Sequence, residues 1–564
     1  MPYKKKLIEI ALPLEAINVE SAREKSIRHG HPSTLHLWWA RRPLASCRAV
    51  LFASMVDDPS AHPDRFPTEV EQQKERRRLH DLIARFETVN GKEEVRGLVS
   101  WEDIKKTNIV EQAHREIARC LAWDRGDEPP VEPTAVSEYL RKYAPPVYDP
   151  FCGGGSIPLE AQRLGLEAYG SDLNPVAVLI TKALIEIPPK FANRSPVSEF
   201  RTLVRDAGGS SPLTPNSGGT GMESPPTLGN LEGKKGKGKK KTGSANLSLE
   251  LGTQYSGARG LAADVRYYGQ WMRDEAEKRI GHLYPDAPSS SLSANNEGNS
   301  SGKVIAWIWA RTVKCANPAC GCQMPLVRSF ELSTKKGKAA WVEPIIDRTQ
   351  NPPTIDFVVK TGDGGTPREG TVGRRGAVCI ACETPTSLDY IRSEGKAGRM
   401  DARLMAIVAE GNRGRVYLSP DADHEQVAAA ARPKWKPENE LPHNPRDFKT
   451  PNYGMRTQGD LYTPRQLVAM TTFSDLVGEA REKVLADAIA GGIANDGLPL
   501  NDGGTGATAY ADAVATYLAF CVDRCSDYWS SIATWHNSNQ QVRCTFARQA
   551  IPMTWDFIDR KSVV

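Results

Sequence analysis

An α/β fold built around a parallel sheet is what this sequence predicts. Three observations predict it: a glycine turn between two short apolar runs, an acid at the end of the second run, and a helix-length stretch after each. The first run, Pro146-Val147-Tyr148, leads into Asp149-Pro150-Phe151-Cys152-Gly153-Gly154-Gly155-Ser156, where three glycines let the backbone turn tightly against a ligand. Ile157 to Leu164 then begins a helix. The second run, Glu167 to Ser171, ends in Asp172, and Asn174-Pro175 opens the next helix. This order places the Asp172 carboxylate beside the glycine turn at the carboxyl edge of the sheet. Open α/β sheets bind nucleoside ligands there, with an acid accepting hydrogen bonds from ribose hydroxyls. The later glycine of a dinucleotide fingerprint is missing, and no Gly-Lys-Ser/Thr follows to cradle phosphates, which favours a nucleoside without a pyrophosphate.

The two motifs, D-P-F-C-G-G-G-S and S-D-L-N-P, resemble the S-adenosylmethionine motif of amino-directed DNA methyltransferases, whose usual form is D-P-F-x-G-x-G-T/S. The resemblance implies an α/β, Rossmann-like S-adenosylmethionine-dependent methyltransferase core with an inserted zinc ribbon and helical segments. It also implies cofactor binding by Asp149, Phe151, Gly153, Gly155, Asp172 and Asn174, with Phe151 and the two glycines against the methionine part and Asp172 on the ribose. A glycine turn in an unrelated α/β domain is the alternative.

Upstream, His29 to Ala45 is dense in aromatic and basic residues. Its tryptophan pair, Trp38-Trp39, and the apolar run through Phe52 and Met55 predict a buried helix with Arg41, Arg42 and Arg48 at its polar edge. In the amino-methyltransferases a histidine-proline element before a helix closes one side of the cofactor pocket, and His31-Pro32 followed by Leu44 to Met55 is similar to it. Core tryptophans under a basic surface are the competing account of His31 and Arg41. From Leu7 through Pro43 the chain also resembles a bacterial and archaeal family of large adenine-specific DNA methylases with an N-terminal domain of unknown function (DUF1156) and an internal zinc ribbon, several encoded with anti-phage defence systems. The resemblance extends to Asp264-Val265-Arg266-Tyr267-Tyr268-Gly269, on a helix reaching about Ile280, and to Gly459 through Gln466, a turn opening a helix at Pro464.

The 564 residues allow three or four units at roughly 150 residues each, with 40% hydrophobic and 25% charged residues, as in ordinary globular chains. A net charge of +5 permits nucleic-acid binding without arguing for it. No apolar run approaches the roughly 20 residues of a membrane span, and the N-terminus carries no signal-peptide core, so a cytoplasmic location is expected. The expected organisation is an N-terminal family domain (1–60), a charged helical insertion (61–144), a cofactor-binding half (145–204), a disordered Gly/Ser/Lys-rich linker (205–258), a helix and loop (259–303), a zinc ribbon (304–400), and a mixed α/β and helical region (401–564). The linker contains the lysine run Lys234 to Lys241, which touches DNA phosphates or is simply solvated.

Eleven cysteines without a secretion signal argue for thiols and metal ligation. Cys315 and Cys320 form one pair, Cys379 and Cys382 another, with strand-like sequence between them, so four thiolates on two turns would hold a structural Zn2+. Cys322 is the substitute for Cys320, which the family resemblance favours. A redox pair at Cys379 and Cys382 is the rival reading.

The amino-methyltransferases hold the flipped base with an Asp/Asn/Ser-Pro-Pro-aromatic loop. No such tetrapeptide occurs here; the nearest, Asn351-Pro352-Pro353-Thr354, lacks the aromatic and reads as a turn. The resemblance places the loop beyond Val564, so the chain reads as C-terminally truncated and no catalytic residue is assigned. The expected function is S-adenosylmethionine-dependent methylation of DNA, on adenine, in phage defence or restriction-modification, with DNA and other defence subunits as partners and no membrane. An RNA methyltransferase and a noncatalytic zinc-containing DNA-binding scaffold are the alternatives.

Overall fold

Local sequence chemistry sets most of the helix and turn boundaries. The computed structural model describes residues 4–27, 30–38, 40–198, 255–287, 302–362, 364–412, 414–546 and 550–560. The lysine run expected in a disordered linker and most of the loop before residue 303 lie outside these residues. The fold mixes helix and sheet in two units, Met1–Asp264 with Val484–Val514, and Val265–Lys483 with Ala515–Val564.

In the first unit, α1 (Leu14–Glu24), α2 (Leu44–Met55) and α3 (Glu69–Ile83) precede a hairpin of β1 (Arg85–Val89) and β2 (Lys92–Arg96). A capping box starts α3: the Thr68 hydroxyl accepts the Glu71 N–H while the Glu71 carboxylate accepts the Thr68 N–H. The hairpin turns on Asn90-Gly91, both left-handed (φ 52° and 74°), as a two-residue connection requires. Helices α4 (Thr107–Arg125) and α5 (Pro133–Tyr143) follow, then β3 (Val147–Asp149), α6 (Ser156–Arg163), β4 (Ala168–Gly170) and α7 (Pro175–Ile185). Strands β3 and β4 run parallel, with Val147 opposite Ala168 and Asp149 opposite Gly170.

One apolar core joins α2, α3, α4 and α6 through residues such as Phe52, Ile83, Ile117 and Ala161. Trp38 is not on the buried helix expected for the tryptophan pair, and Trp39 lies outside the described residues. Helix α2 begins only at Leu44, because Pro43 disfavours helical backbone at Arg42, and Trp38 lies in the segment before it. Arg48 is not at a polar edge either. It is fully buried, its Nε donating to the equally buried Glu160 on α6 and its Nη1 to the carbonyls of Leu98 (2.6 Å) and Val99 (3.2 Å). Asp264, also fully buried, accepts hydrogen bonds from the N–H groups of Val197 and Ser198 and from the Tyr510 hydroxyl.

The second unit centres on β5 (Val304–Lys314), whose first ten residues are buried. It is an inner strand of an antiparallel sheet, flanked on one side by Asp401–Gly411 and then Gly414–Leu418 and on the other by Asp556–Arg560, and β6 (Gln323–Leu326) also pairs with it. Strands β7 (Glu331–Ser333), β8 (Ala340–Asp347) and β9 (Thr354–Thr361) form a second sheet, and β10 (Ala377–Val378) and β11 (Pro385–Thr386) a short hairpin. Asn351-Pro352-Pro353 turns between β8 and β9. Strands β12 (Asp401–Gly411) and β13 (Gly414–Leu418), then the hairpin β14 (Thr534–His536) and β15 (Gln541–Arg543), and β16 (Asp556–Arg560) complete the set.

Because β12 pairs along β5, the sheet crosses the 400/401 division expected from the sequence. Among the named strands of the described residues, only β3 and β4 pair in parallel, so the parallel sheet is confined to that β-α-β unit. The segment Gly459 to Gln466 pins β16: Arg465 donates from Nε to Asp559 at 2.7 Å with both side chains buried, and Gln466 Nε2 donates to the Ile558 carbonyl at 3.0 Å.

Removing the charge of Glu160 leaves the Arg48 guanidinium buried without a counter-ion, an arrangement that costs about 3–5 kcal/mol. Glu160→Gln should therefore lower the stability of the first unit by that order in denaturant unfolding, and a loss below about 1 kcal/mol would contradict this account of the pair.

Candidate functional site

The glycine loop between β3 and α6 is built by backbone hydrogen bonds. Cys152 N–H donates to the Ser171 carbonyl (2.9 Å) and Ser171 N–H to the Asp149 carbonyl (3.0 Å), carrying the parallel ladder past the strand ends. The Asp149 carboxylate accepts the Phe151 N–H at 3.1 Å and closes the first bend. Gly155 N–H reaches back to the Cys152 carbonyl at 2.7 Å. Gly153 and Gly155 are left-handed, φ 48° and 72°, conformations that cost residues with a Cβ.

Asp172, one residue past the end of the β4 ladder, closes the site. Its Oδ2 accepts the Gly153 N–H and its Oδ1 the Asn174 N–H, both at 2.9 Å. These two backbone donors, Asn174 first, hold its pKa below the ordinary aspartate value, so the group is an anion at neutral pH. Each oxygen keeps a further lone pair for a ligand donor. Asn174 caps α7, its side-chain oxygen accepting the Val176 N–H at 2.9 Å. Phe151 and Leu173 stand exposed, at 76% and 95%. The six residues singled out from the sequence thus come together, although Asp149 and Asn174 are engaged in shaping their own turns.

The segment before α2 packs onto this loop. Arg41 Nη1 donates to the Gly154 carbonyl at 2.8 Å, and Ser156 Oγ donates to the Arg42 carbonyl at 2.8 Å. A Cβ at Gly153 would lie 2.6 Å from Trp38 Nε1, and one at Gly154 would lie 2.9 Å from Arg41 Cζ. His31 stays away: it is buried, its Nδ1 2.7 Å from Ser33 Oγ and its ring 4.6 Å from that of Trp101. Gly154 and Trp38 are participants that sequence reasoning missed. Gly154 does not have a left-handed backbone, and its only outward signal is the third glycine in a row.

The second site lies in the other unit. Cys315 follows β5, and its N–H donates to the Cys322 carbonyl at 2.8 Å, closing a turn that passes through left-handed Gly321 (φ 60°). Cys379 follows β10, donates its N–H to the Thr384 carbonyl at 3.1 Å, and closes a matching turn through left-handed Glu383 (φ 61°). The sulfurs of Cys315, Cys320, Cys379 and Cys382 all lie within 4.8 Å of one another. Cys315 and Cys382 are 3.7 Å apart, Cys320 and Cys379 4.0 Å. Four thiolates at about 2.3 Å from a tetrahedral ion stand about 3.8 Å apart, so the set is placed to bind a metal such as zinc.

Cys322, buried and 3.4 Å from Cys379, falls outside the mutual four. Its thiol, hydrogen-bonded to the Cys379 sulfur, draws the Cys379 pKa well below the ordinary thiol value against the opposing effect of burial, with help from the N–H groups of Cys382 and Ala381. Four sulfur ligands leave no position for activated water, which suits a structural ion. No helix among the described residues is long and apolar enough to cross a membrane.

Residues 11–82 match the family model described as a protein of unknown function, DUF1156, so α1, α2, most of α3 and both Trp38 and Arg41 belong to that domain. No curated protein and no solved structure matches the chain.

Purified protein should carry one zinc per chain by elemental analysis. Cys379→Ser should abolish the metal and lower the melting temperature, whereas Cys322→Ser should keep it; retention by the first variant or loss from the second would reassign the ligands.

Proposed function

We propose that this chain binds S-adenosylmethionine in the loop between β3 and α6 and is a methyltransferase acting on the exocyclic amine of DNA adenine, with a structural zinc in its cysteine site. The observation that carries the reading is the ionised Asp172, held by Gly153 N–H at the carboxyl edge of a parallel strand pair. A β-α-β unit with an acid after its second strand presents lone pairs to vicinal ribose hydroxyls.

The residues present fit the cofactor. The loop lacks the lysine and later glycine that a phosphate would call for, its glycines let a ligand approach the main chain, and exposed Phe151 offers apolar surface to the methionine part. When bound, the cofactor supplies a methyl group made electrophilic by its sulfonium. Asp172 and the glycine loop orient that group, and transfer to an amine then depends chiefly on holding nitrogen, methyl and sulfur in line.

The resemblance of the two motifs to those of amino-directed DNA methyltransferases supports DNA as substrate and a place in phage defence or restriction-modification. A noncatalytic DNA-binding scaffold is the second reading.

Calorimetric titration with S-adenosylmethionine should show micromolar binding that falls at least about tenfold in Asp172→Ala, the loss of hydrogen bonds to a charged acceptor. Absence of binding to folded, zinc-loaded protein would sink the cofactor reading in favour of the scaffold. Labelled methyl should pass to duplex DNA; label found only on structured RNA would reject the DNA substrate.

A further inference from the structure

We infer that Arg41 anchors the α-carboxylate at the methionine end of the cofactor, an inference that rests on the cofactor reading above. Arg41 belongs to the DUF1156 domain, more than a hundred residues from the loop in sequence, yet it lies against it. Its Nη1 donates to the Gly154 carbonyl at 2.8 Å and its Nη2 to the His36 carbonyl at 3.3 Å. Both acceptors are neutral, and none of the ion pairs among the described residues includes Arg41. Burial lowers its pKa to about 10 with no acid to offset the effect. A half-buried guanidinium held only by carbonyls is an under-compensated cation, and the rest of its planar fork suits a carboxylate, which it can grip with two parallel hydrogen bonds.

The arrangement along the loop supplies the direction. Asp172 takes the N–H of Gly153, and Arg41 takes the carbonyl of the next residue, Gly154. A hydroxyl-seeking anion and an anion-seeking cation therefore grip consecutive residues of one turn. S-adenosylmethionine has this polarity, with ribose hydroxyls on one side of the sulfonium and an α-carboxylate on the other. Gly154 owes its identity to the same contact. Its backbone is not left-handed, but a Cβ there would come within 2.9 Å of Arg41 Cζ and 3.0 Å of Nε. Glycine at this position leaves the space that the guanidinium occupies.

The test is equilibrium binding to the full, zinc-loaded chain of three probes: S-adenosylmethionine, 5′-methylthioadenosine, which keeps the nucleoside and sulfur but has no carboxylate, and adenosine 5′-monophosphate. Arg41→Gln should weaken S-adenosylmethionine about tenfold to a hundredfold, the range of a charge-assisted hydrogen bond or two, and leave methylthioadenosine unchanged. Arg41→Lys should recover part of the loss, since it keeps the charge without the fork. Gly154→Ala keeps the arginine but pushes its flexible end off the loop, and should reproduce Arg41→Gln.

Unchanged methylthioadenosine affinity also reports an intact loop in each variant. Equal losses for both nucleosides would show that Arg41 shapes the loop rather than binding the carboxylate, and no loss for either would remove it from the site; each overturns the inference. Arginine-dependent binding of the monophosphate, tighter than that of S-adenosylmethionine, would identify a phosphate instead and overturn it too. A wild-type chain that binds neither S-adenosylmethionine nor methylthioadenosine would bring down the cofactor reading itself, an outcome distinct from all of these.

Discussion

The buried ion pair between Arg48 and Glu160 is the constraint on which the first unit depends. Taking both charges out of water is offset by their direct contact and by the carbonyls of Leu98 and Val99, which take up the guanidinium's Nη1. The pair fastens α2, in the DUF1156 domain, to α6, the helix that follows Gly155. With α2 held there, the segment preceding it has little choice but to cross the glycine loop, which is why Trp38 and Arg41 meet Gly153 and Gly154. An interaction with no part in ligand chemistry thereby assembles a site from two stretches distant in sequence.

Around that loop, backbone groups do most of the organising. Gly153 and Gly155 adopt left-handed conformations that open the turn, and Asp172 draws two N–H groups onto its carboxylate while remaining ionised. The cysteine site follows the same logic in the other unit: each pair sits on a turn closed by main-chain hydrogen bonds and passing through a left-handed residue. In both places the side chains are ready for a ligand because the main chain has already been satisfied. Elsewhere, Asp264 and Arg465 show that conspicuous sequence features can serve packing, each being buried and hydrogen-bonded to neighbours within its own unit.

Much of this was legible before any coordinates. The strand-turn-helix-strand order from Val147 to Gly170 follows from glycine placement and short apolar runs, and the Asn174-Pro175 helix start from capping chemistry. The two thiol pairs follow from spacing, which leaves Cys320 and Cys322 as alternatives in the first. Arg48 was misread because amphipathic periodicity scores an arginine as surface and carries no record of a carboxylate 112 residues away. Trp38 precedes the helix that the apolar run suggests for it, as Pro43 already argues. Strands β5 and β12 pair along their length across residue 400, a long-range register that neither strand's composition reveals.

The sequence by itself determined whatever depends on neighbours along the chain: capped helix starts, turns at glycine and asparagine, the acid after the second strand, and the paired thiols. These are set by dihedral preference and by donors and acceptors a few bonds apart. Only the tertiary structure decided that an arginine of the DUF1156 domain rests on the glycine loop, that Cys320 rather than Cys322 completes the mutual four, and that among the named strands of the described residues parallel pairing is confined to β3 and β4 while the larger sheet runs antiparallel. Those outcomes turn on which buried surfaces and charges find one another through space, and no local pattern encodes such a pairing.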